Sequence, residues 1–308
     1  MTATWAIGMD GGGTKIAALC RSSDESSPLR RSESGPCNIA AMEPAAAAEN
    51  AVKCVTQLNI APDNVGAVVI GVAGYSAVQR RRRFTELLQA TFPAAIVEVF
   101  SDFQIAHSGA FPDGVGVIVI AGTGSVAYGV NPIGESAIVG GYGYLIDDSG
   151  TGYGLGRQVL VGAGKTFDGI AGCDLLTALF IAKTGIRTRE DLIAAIYGGS
   201  LDRASVASLA PLVTEAANGG DAYANSLLMH AGGALARLAQ STISGLFSQP
   251  ESVQVAKIGS VWQAGHELNS VFESSLLRSC TSVRIVSPAL TPVEGALLRA
   301  QKTLAGCS

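Results

Sequence analysis

The chain has 308 residues, more than a single hydrophobic core usually organises, so two domains of ordinary size are expected. With 48% apolar and only 15% charged residues, a disordered or coiled-coil chain is excluded. A net charge of −4 offers no broad positive field to nucleic acid or an anionic membrane, so any phosphate group must be held locally, by backbone amides and a metal ion.

Taken in chain order, Met1 to Asp10 carries no basic segment followed by a signal-type apolar core, and the most apolar stretch, Val115 to Ile120, is too short to span a bilayer. A cytoplasmic protein is the expectation. Trp5 to Cys20 reads as strand, glycine turn and strand, a hairpin with a bare tip at Gly11-Gly12-Gly13-Thr14. Pro44 to Leu58 has helical spacing, Val65 to Val72 is a buried strand, Val78 to Thr91 a second helix, and Ile96 to Phe100 a strand. Ser101-Asp102 then stands at a strand's carboxyl end, where parallel sheets commonly present ligand-binding groups.

After the turn Phe111-Pro112-Asp113-Gly114, Val115 to Val130 repeats the opening pattern of strand, Gly122-Thr123-Gly124-Ser125 and strand. That recurrence predicts an internal duplication with a boundary near Ala110 to Gly116, giving domains 1–113 and 114–290. Gly140 to Gly156 reads as a glycine-dense loop and Arg157 to Gly164 as the start of a helix. Asp174 to Lys183, Asp191 to Ile196, Val206 to Asn218 and Asp221 to Leu246 read as helices. A strand from Val253 to Ile258 ends in Gly259-Ser260-Val261, and a helix from Pro292 to Leu304 closes the chain.

The chemistry follows from these placements. Glycines at two hairpin tips let amide N–H groups approach phosphate oxygens with no side chain between, and the hydroxyls of Thr14, Thr123 and Ser125 add donors. Either hairpin alone reads first as a tight turn requiring positive φ, and it is their recurrence that favours phosphate binding. Asp10, at the end of the first strand, suits Mg2+, a hard ion that takes carboxylates and keeps part of its water shell; it also reads as an ordinary turn residue. Asp102 suits a base that orients a hydroxyl for attack on phosphorus, with a helix N-cap as the alternative.

Other features lead away from chemistry. Gly164-Lys165-Thr166 imitates the end of a phosphate loop, but Val159 occupies the position of its first glycine. Arg80 to Arg83 reads as a solvated helix face. His107, His230 and His266 lack metal-ligand spacing, and Cys20, Cys37, Cys54, Cys173, Cys280 and Cys307 form no C-x-x-C pair.

Asp10-Gly-Gly-Gly-Thr14-Lys15, Ser101-Asp102, Ala121-Gly-Thr-Gly-Ser125 and Ile258-Gly-Ser-Val261 together resemble the signature of the sugar kinase, hexokinase and actin superfamily, in order over almost the whole chain. The segment Gly140-Gly-Tyr-Gly-Tyr-Leu-Ile-Asp-Asp-Ser-Gly-Thr-Gly-Tyr153 resembles a loop of the N-acetylglucosamine kinase and BadF/BadG-type ATPase family. This resemblance implies an α/β protein of two duplicated actin-like (ribonuclease H-like) domains around a central cleft, with the terminal helix, 291–308, joining the first. It implies ATP-dependent phosphorylation of an amino sugar, N-acetylglucosamine or glucosamine, at the 6-hydroxyl, with ATP and Mg2+ and a homodimeric assembly.

Residue by residue, the resemblance assigns Asp102 as base and Asn38, Gly74, Asp102 and Asp148 to the sugar. It assigns Gly11, Gly12, Gly13, Thr14, Lys15, Gly122, Thr123, Gly124 and Ser125 to the phosphates, Gly232, Gly233, Gly259 and Ser260 to adenine, and Asp10 to the metal. For Gly232-Gly233 close helix packing is the competing reading. The chain departs from the family at Val126, where Asn is frequent, and at Asp148-Ser149-Gly150, where Asp-Glu-Gly is usual. Two other activities are compatible with this fold. An ATP-driven activator of a radical dehydratase or reductase needs cluster-binding cysteines, yet no cysteine lies between Asp102 and Gly172. A sugar-sensing regulator needs a basic helix-turn-helix, which is not seen at the N-terminus.

Overall fold

In the computed structural model, residues 4–24, 26–170, 173–248, 252–279 and 282–306 are described. The strand β1, Trp5–Gly11, alternates its side chains: Trp5, Ile7 and Met9 enter one apolar core while Ala6 enters another. Both faces of its sheet are therefore covered. β1 turns back into β2, Ile16–Ser22, followed by β3, Arg30–Ser34, whose polar sequence marks a sheet edge. The helix α1, Pro44–Thr56, starts on a proline, which suits the first helical turn because its missing N–H would be unpaired there in any case. β4, Val65–Val72, α2, Val78–Thr91, and β5, Ile96–Ser101, follow. α3, Asp102–Ala110, begins in a capping box in which Ser101 and Gln104 satisfy each other's amides.

The second sheet opens with β6, Gly116–Ala121, β7, Ser125–Val130, and β8, Ser136–Gly140. Six helices come next: α4, Gly152–Phe167; α5, Asp174–Thr184; α6, Arg189–Tyr197; α7, Arg203–Ala207; α8, Ala210–Asn218; and α9, Ala222–Leu246. β9, Val253–Ile258, α10, His266–Ser279, and β10, Val283–Val286, complete this part, and α11, Pro292–Gly306, comes last.

By contact the chain divides into two units, Met1–Val115 with Ser287–Ser308, and Gly116–Val286. The first holds a five-stranded sheet in the order β3-β2-β1-β4-β5, the second one in the order β8-β7-β6-β9-β10. In each, the first three strands are antiparallel and the last two run parallel to the opening strand. The strand order is thus the same twice over. One face of the first sheet packs on α1 and α2 through Ala47, Ala51, Phe84 and Leu88; the other packs on α3 and α11 through Ile105, Val293, Ala296 and Leu297. Backbone approaches are close on that second face: a Cβ on Gly8 would lie 2.0 Å from the Leu297 amide, and one on Gly295 2.3 Å from that of Gly109. The core of the second unit gathers Val117, Val119, Phe180, Leu228, Leu235, Phe272 and Leu276.

Gly164-Lys165-Thr166 lies inside α4, so it forms no phosphate loop. Cys20, Cys37, Cys54 and Cys173 are buried free thiols, whereas Cys280 and Cys307 lie outside the described residues. Among the described residues no helix is long and apolar enough to cross a membrane.

Candidate functional site

The two hairpin tips share a property that the fold does not require of them. Gly12, Gly13, Gly122 and Gly124 all avoid the positive-φ region, which corrects the expectation that tight turning alone would demand glycine there. A Cβ placed on Gly13 or Gly122 would meet nothing within 4 Å. Steric crowding therefore does not select glycine either. What these positions do present is bare backbone: the amides of Gly13, Thr14, Thr123 and Gly124 make no hydrogen bond among the described residues, while the turns are closed by Gly12 N–H to the Lys15 carbonyl at 2.9 Å and Gly122 N–H to the Gly124 carbonyl at 2.9 Å. Uncommitted amides at a bare tip form an anion-binding surface. Lys15, at the foot of the first tip, pairs at the surface with both Glu33 carboxylate oxygens on the neighbouring strand, at 2.9 Å.

In the first unit the sheet sets two carboxylates close together. Asp10 pairs with Gly71 of β4, which pairs in turn with Phe100 of β5, and Asp102 follows two residues later. Burial, followed by the negative charge of Asp102, pushes the Asp10 carboxyl up to about 6. Asp102 keeps solvent access, but protein crowds its other sides, and that desolvation raises its carboxyl above the usual range against the pull of the Phe103 and its own amides. The N-cap role falls to Ser101, not to Asp102. Among the described residues no group of three or more His, Cys, Asp or Glu could hold a metal ion unaided. The pair does fit Mg2+, which is commonly bound through one or two carboxylates with the remaining positions left to water and substrate phosphate.

The same unit brings Asn38 and Gly74 together. Asn38 bridges Ala73 in parallel, its Oδ1 accepts the Ala40 N–H at 3.0 Å, and a Cβ on Gly74 would fall 2.7 Å from that oxygen. Gly74 also has φ +78°, so two constraints select glycine. Arg80 donates to the carbonyls of Ile39 at 2.7 Å and Met42 at 2.6 Å, and Arg81 to that of Tyr75 at 3.1 Å while covering its ring. These two arginines therefore turn from the solvated helix face expected of Arg80 to Arg83 and pin the loops carrying Asn38 and Gly74. Arg82 and Arg83 stay at the surface, paired with Glu86.

In the second unit, β9 runs parallel to β6 and delivers Gly259 against the start of the second hairpin, where a Cβ would lie 2.2 Å from the Ala121 carbonyl. Ser260, next to it, is exposed. Gly232 is committed to packing, since its Cβ would lie 2.2 Å from the Leu268 carbonyl of α10, whereas Gly233 is free of such crowding. Asp148 is drawn under the hairpin: Thr151 Oγ1 donates to its carbonyl at 2.7 Å, and Gly152 N–H donates to the Gly122 carbonyl at 2.7 Å. Its side chain is 4% exposed and faces Arg203 at 3.6 Å. Burial raises the Asp148 carboxyl more than the Arg203 charge lowers it. Arg203 went unnoticed in the sequence because no local pattern ties it to residues so distant along the chain.

The profile of one protein family matches residues 7–300. The chain belongs to the BadF/BadG/BcrA/BcrD ATPase family. Within reach of that family, the N-acetylmuramic acid/N-acetylglucosamine kinase of Clostridium acetobutylicum is 28% identical over 96% of this chain and 98% of its own length. The N-acetyl-D-glucosamine kinase of Dictyostelium discoideum is 29% identical over 96% and 97%. A crystal structure from Chromobacterium violaceum, assigned as an N-acetylglucosamine kinase, superposes with a TM-score of 0.80 at 27% identity, covering 98% of this chain and all of the other. A ROK-family glucokinase from Streptomyces griseus, solved with glucose and AMPPNP, has a TM-score of 0.56 at 17% identity, covering 97% and 98%. That last likeness establishes the two-domain fold of sugar kinases and no more.

Proposed function

We propose that this family member transfers the γ-phosphoryl group of ATP to an amino sugar of the N-acetylglucosamine or glucosamine class, at the 6-hydroxyl. The observation that carries the reading is that Gly12, Gly13 and Gly122 stand bare at the two tips though neither φ nor packing demands glycine there. Amides so arranged suit phosphate oxygens, and the named kinase relatives align over nearly the full chain. In this reading the tips Gly11 to Thr14 and Gly122 to Ser125 hold the phosphates, with Gly233, Gly259 and Ser260 along the adenine. Asn38 and Gly74 bind the sugar.

Asp102 orients the attacking hydroxyl and takes its proton late, because a carboxylate remains a far weaker base than an alkoxide even when burial lifts its pKa. Mg2+, held through Asp10 and water, would supply charge neutralisation of the phosphoryl oxygens. Asp10 must be ionised to hold it, so the metal-bound state is favoured above the pH at which the free carboxyl gives up its proton. Cytoplasmic location and a homodimeric assembly belong to the same reading, the latter open to light scattering.

A turnover screen of glucosamine, N-acetylglucosamine, glucose and mannosamine with MgATP tests the assignment. An amino sugar should stimulate ATP consumption, and Asp102→Asn should lower kcat roughly 10²–10⁴-fold with nucleotide affinity nearly unchanged. ATP consumption indifferent to every sugar would reject the kinase reading, and full activity in the variant would remove Asp102 as the base.

A further inference from the structure

Arg203 is an unusual arginine for its position. It is the first residue of α7, its side chain is 43% exposed, and its guanidinium is paired with a carboxylate that is almost fully buried. It faces the Asp148 carboxylate at 3.6 Å, too long for a charge-assisted hydrogen bond, and lies 5.1 Å from the Tyr144 ring centroid. Asp148 Oδ2 is correspondingly buried with no hydrogen-bond partner. A Cβ on Gly124 would lie 3.4 Å from Arg203 Nη2 and 3.6 Å from Asp148 Oδ1, so both charged groups border the second hairpin at its tip. There the Thr123 and Gly124 amides are themselves uncommitted. Lys15, the cation expected at the first tip, belongs to the other unit and pairs there with Glu33.

We propose that Arg203 is a phosphate-binding residue, the cation that complements the amides of the second hairpin, and that Asp148 parks it beside the tip until nucleotide arrives. The inference rests on the kinase reading and adds to it the source of positive charge at this hairpin. A guanidinium presents five donors in a planar fork suited to phosphate oxygens. An ion pair held at 3.6 Å is longer than a charge-assisted hydrogen bond, and the half-exposed guanidinium keeps donors free to turn onto phosphate. The guanidinium carbon lies over the Tyr144 ring, a cation–π contact.

The test compares binding of adenosine, AMP, ADP and ATP to the full chain and to Arg203→Gln by calorimetry. Affinity for ADP and ATP should fall on the order of tenfold to a hundredfold, adenosine binding should stay within twofold, and the salt dependence of ATP binding should flatten. Arg203→Met, which removes the charge but keeps an unbranched side chain of similar length, carries the same comparison if the Gln variant does not fold. ATP affinity within twofold of the parent would overturn the proposal, as would an equal loss for adenosine and ATP, which marks a structural role. A parent that binds no nucleotide defeats the kinase reading and this proposal together. A parent that phosphorylates an amino sugar while Arg203→Gln binds ATP normally defeats the arginine alone.

Discussion

Burial moves the Asp10 carboxyl from 3.8 to about 6, so between those values the folded chain binds a proton that the unfolded chain has released. Stability from this group is therefore complete at low pH and is lost as pH rises through about 6. In metal-free buffer Asp10→Asn should raise the unfolding free energy at pH 7.5 by on the order of 1–3 kcal/mol, and the gain should vanish by about pH 4. Denaturant titrations at the two pH values check it; equal effects at both would show that Asp10 is not desolvated. Much at this scale was readable in the sequence, because Asp10, Asp102 and the tip glycines sit at strand ends that apolar patterning already marks. The roles of Arg80, Arg81 and Arg203 were not, since each depends on which carbonyl or carboxylate the fold brings near. Nor was the Lys15–Glu33 pair readable, because Glu33 belongs to a strand with no apolar pattern.

At the scale of elements, the second hairpin separates folding from binding. Gly122 has an ordinary φ and open space around it, so Gly122→Ala should fold with its melting temperature nearly unchanged or slightly raised through reduced freedom of the unfolded chain. Its ATP affinity should nevertheless fall several-fold, as a methyl group enters the space where phosphate approaches. Thermal melts paired with ATP titrations measure both, and unaltered affinity would mean that the tip is not a contact. The long apolar segments, β1, β4, β6 and α9, were legible from periodicity alone. Missed were β3, β8 and β10, all short or polar edge strands that take their pairing from a neighbour, and α10, whose exposed face dilutes its apolar stripe. Val206 to Asn218 read as one helix but breaks at Ser208-Leu209 into α7 and α8. That break sets Arg203 on a short helix of its own.

For the whole molecule, repetition of strand order in two sheets is what the recurrence of glycine hairpins foretold, and it gives the α/β class its duplicated form. The units differ in how they are closed. The first depends on α11, whose Val293, Ala296, Leu297 and Ala300 cover a sheet face opposite α1 and α2. Ending the chain after Leu290 should strip hydrogen-exchange protection from β1 and β4 while β6 and β9 retain theirs, because the second unit keeps its own core. Protection lost evenly across both sheets, or kept in β1 and β4, would contradict this.

The packing of α11 on β1 also imposes an order on birth. A ribosome releases the earliest strand of the first sheet long before the helix that must shelter it, whereas Gly116–Val286 emerges as one uninterrupted stretch. The later-made unit can thus mature ahead of the earlier one, and throughout that interval the nascent sheet shows an uncovered apolar side to any chaperone in waiting.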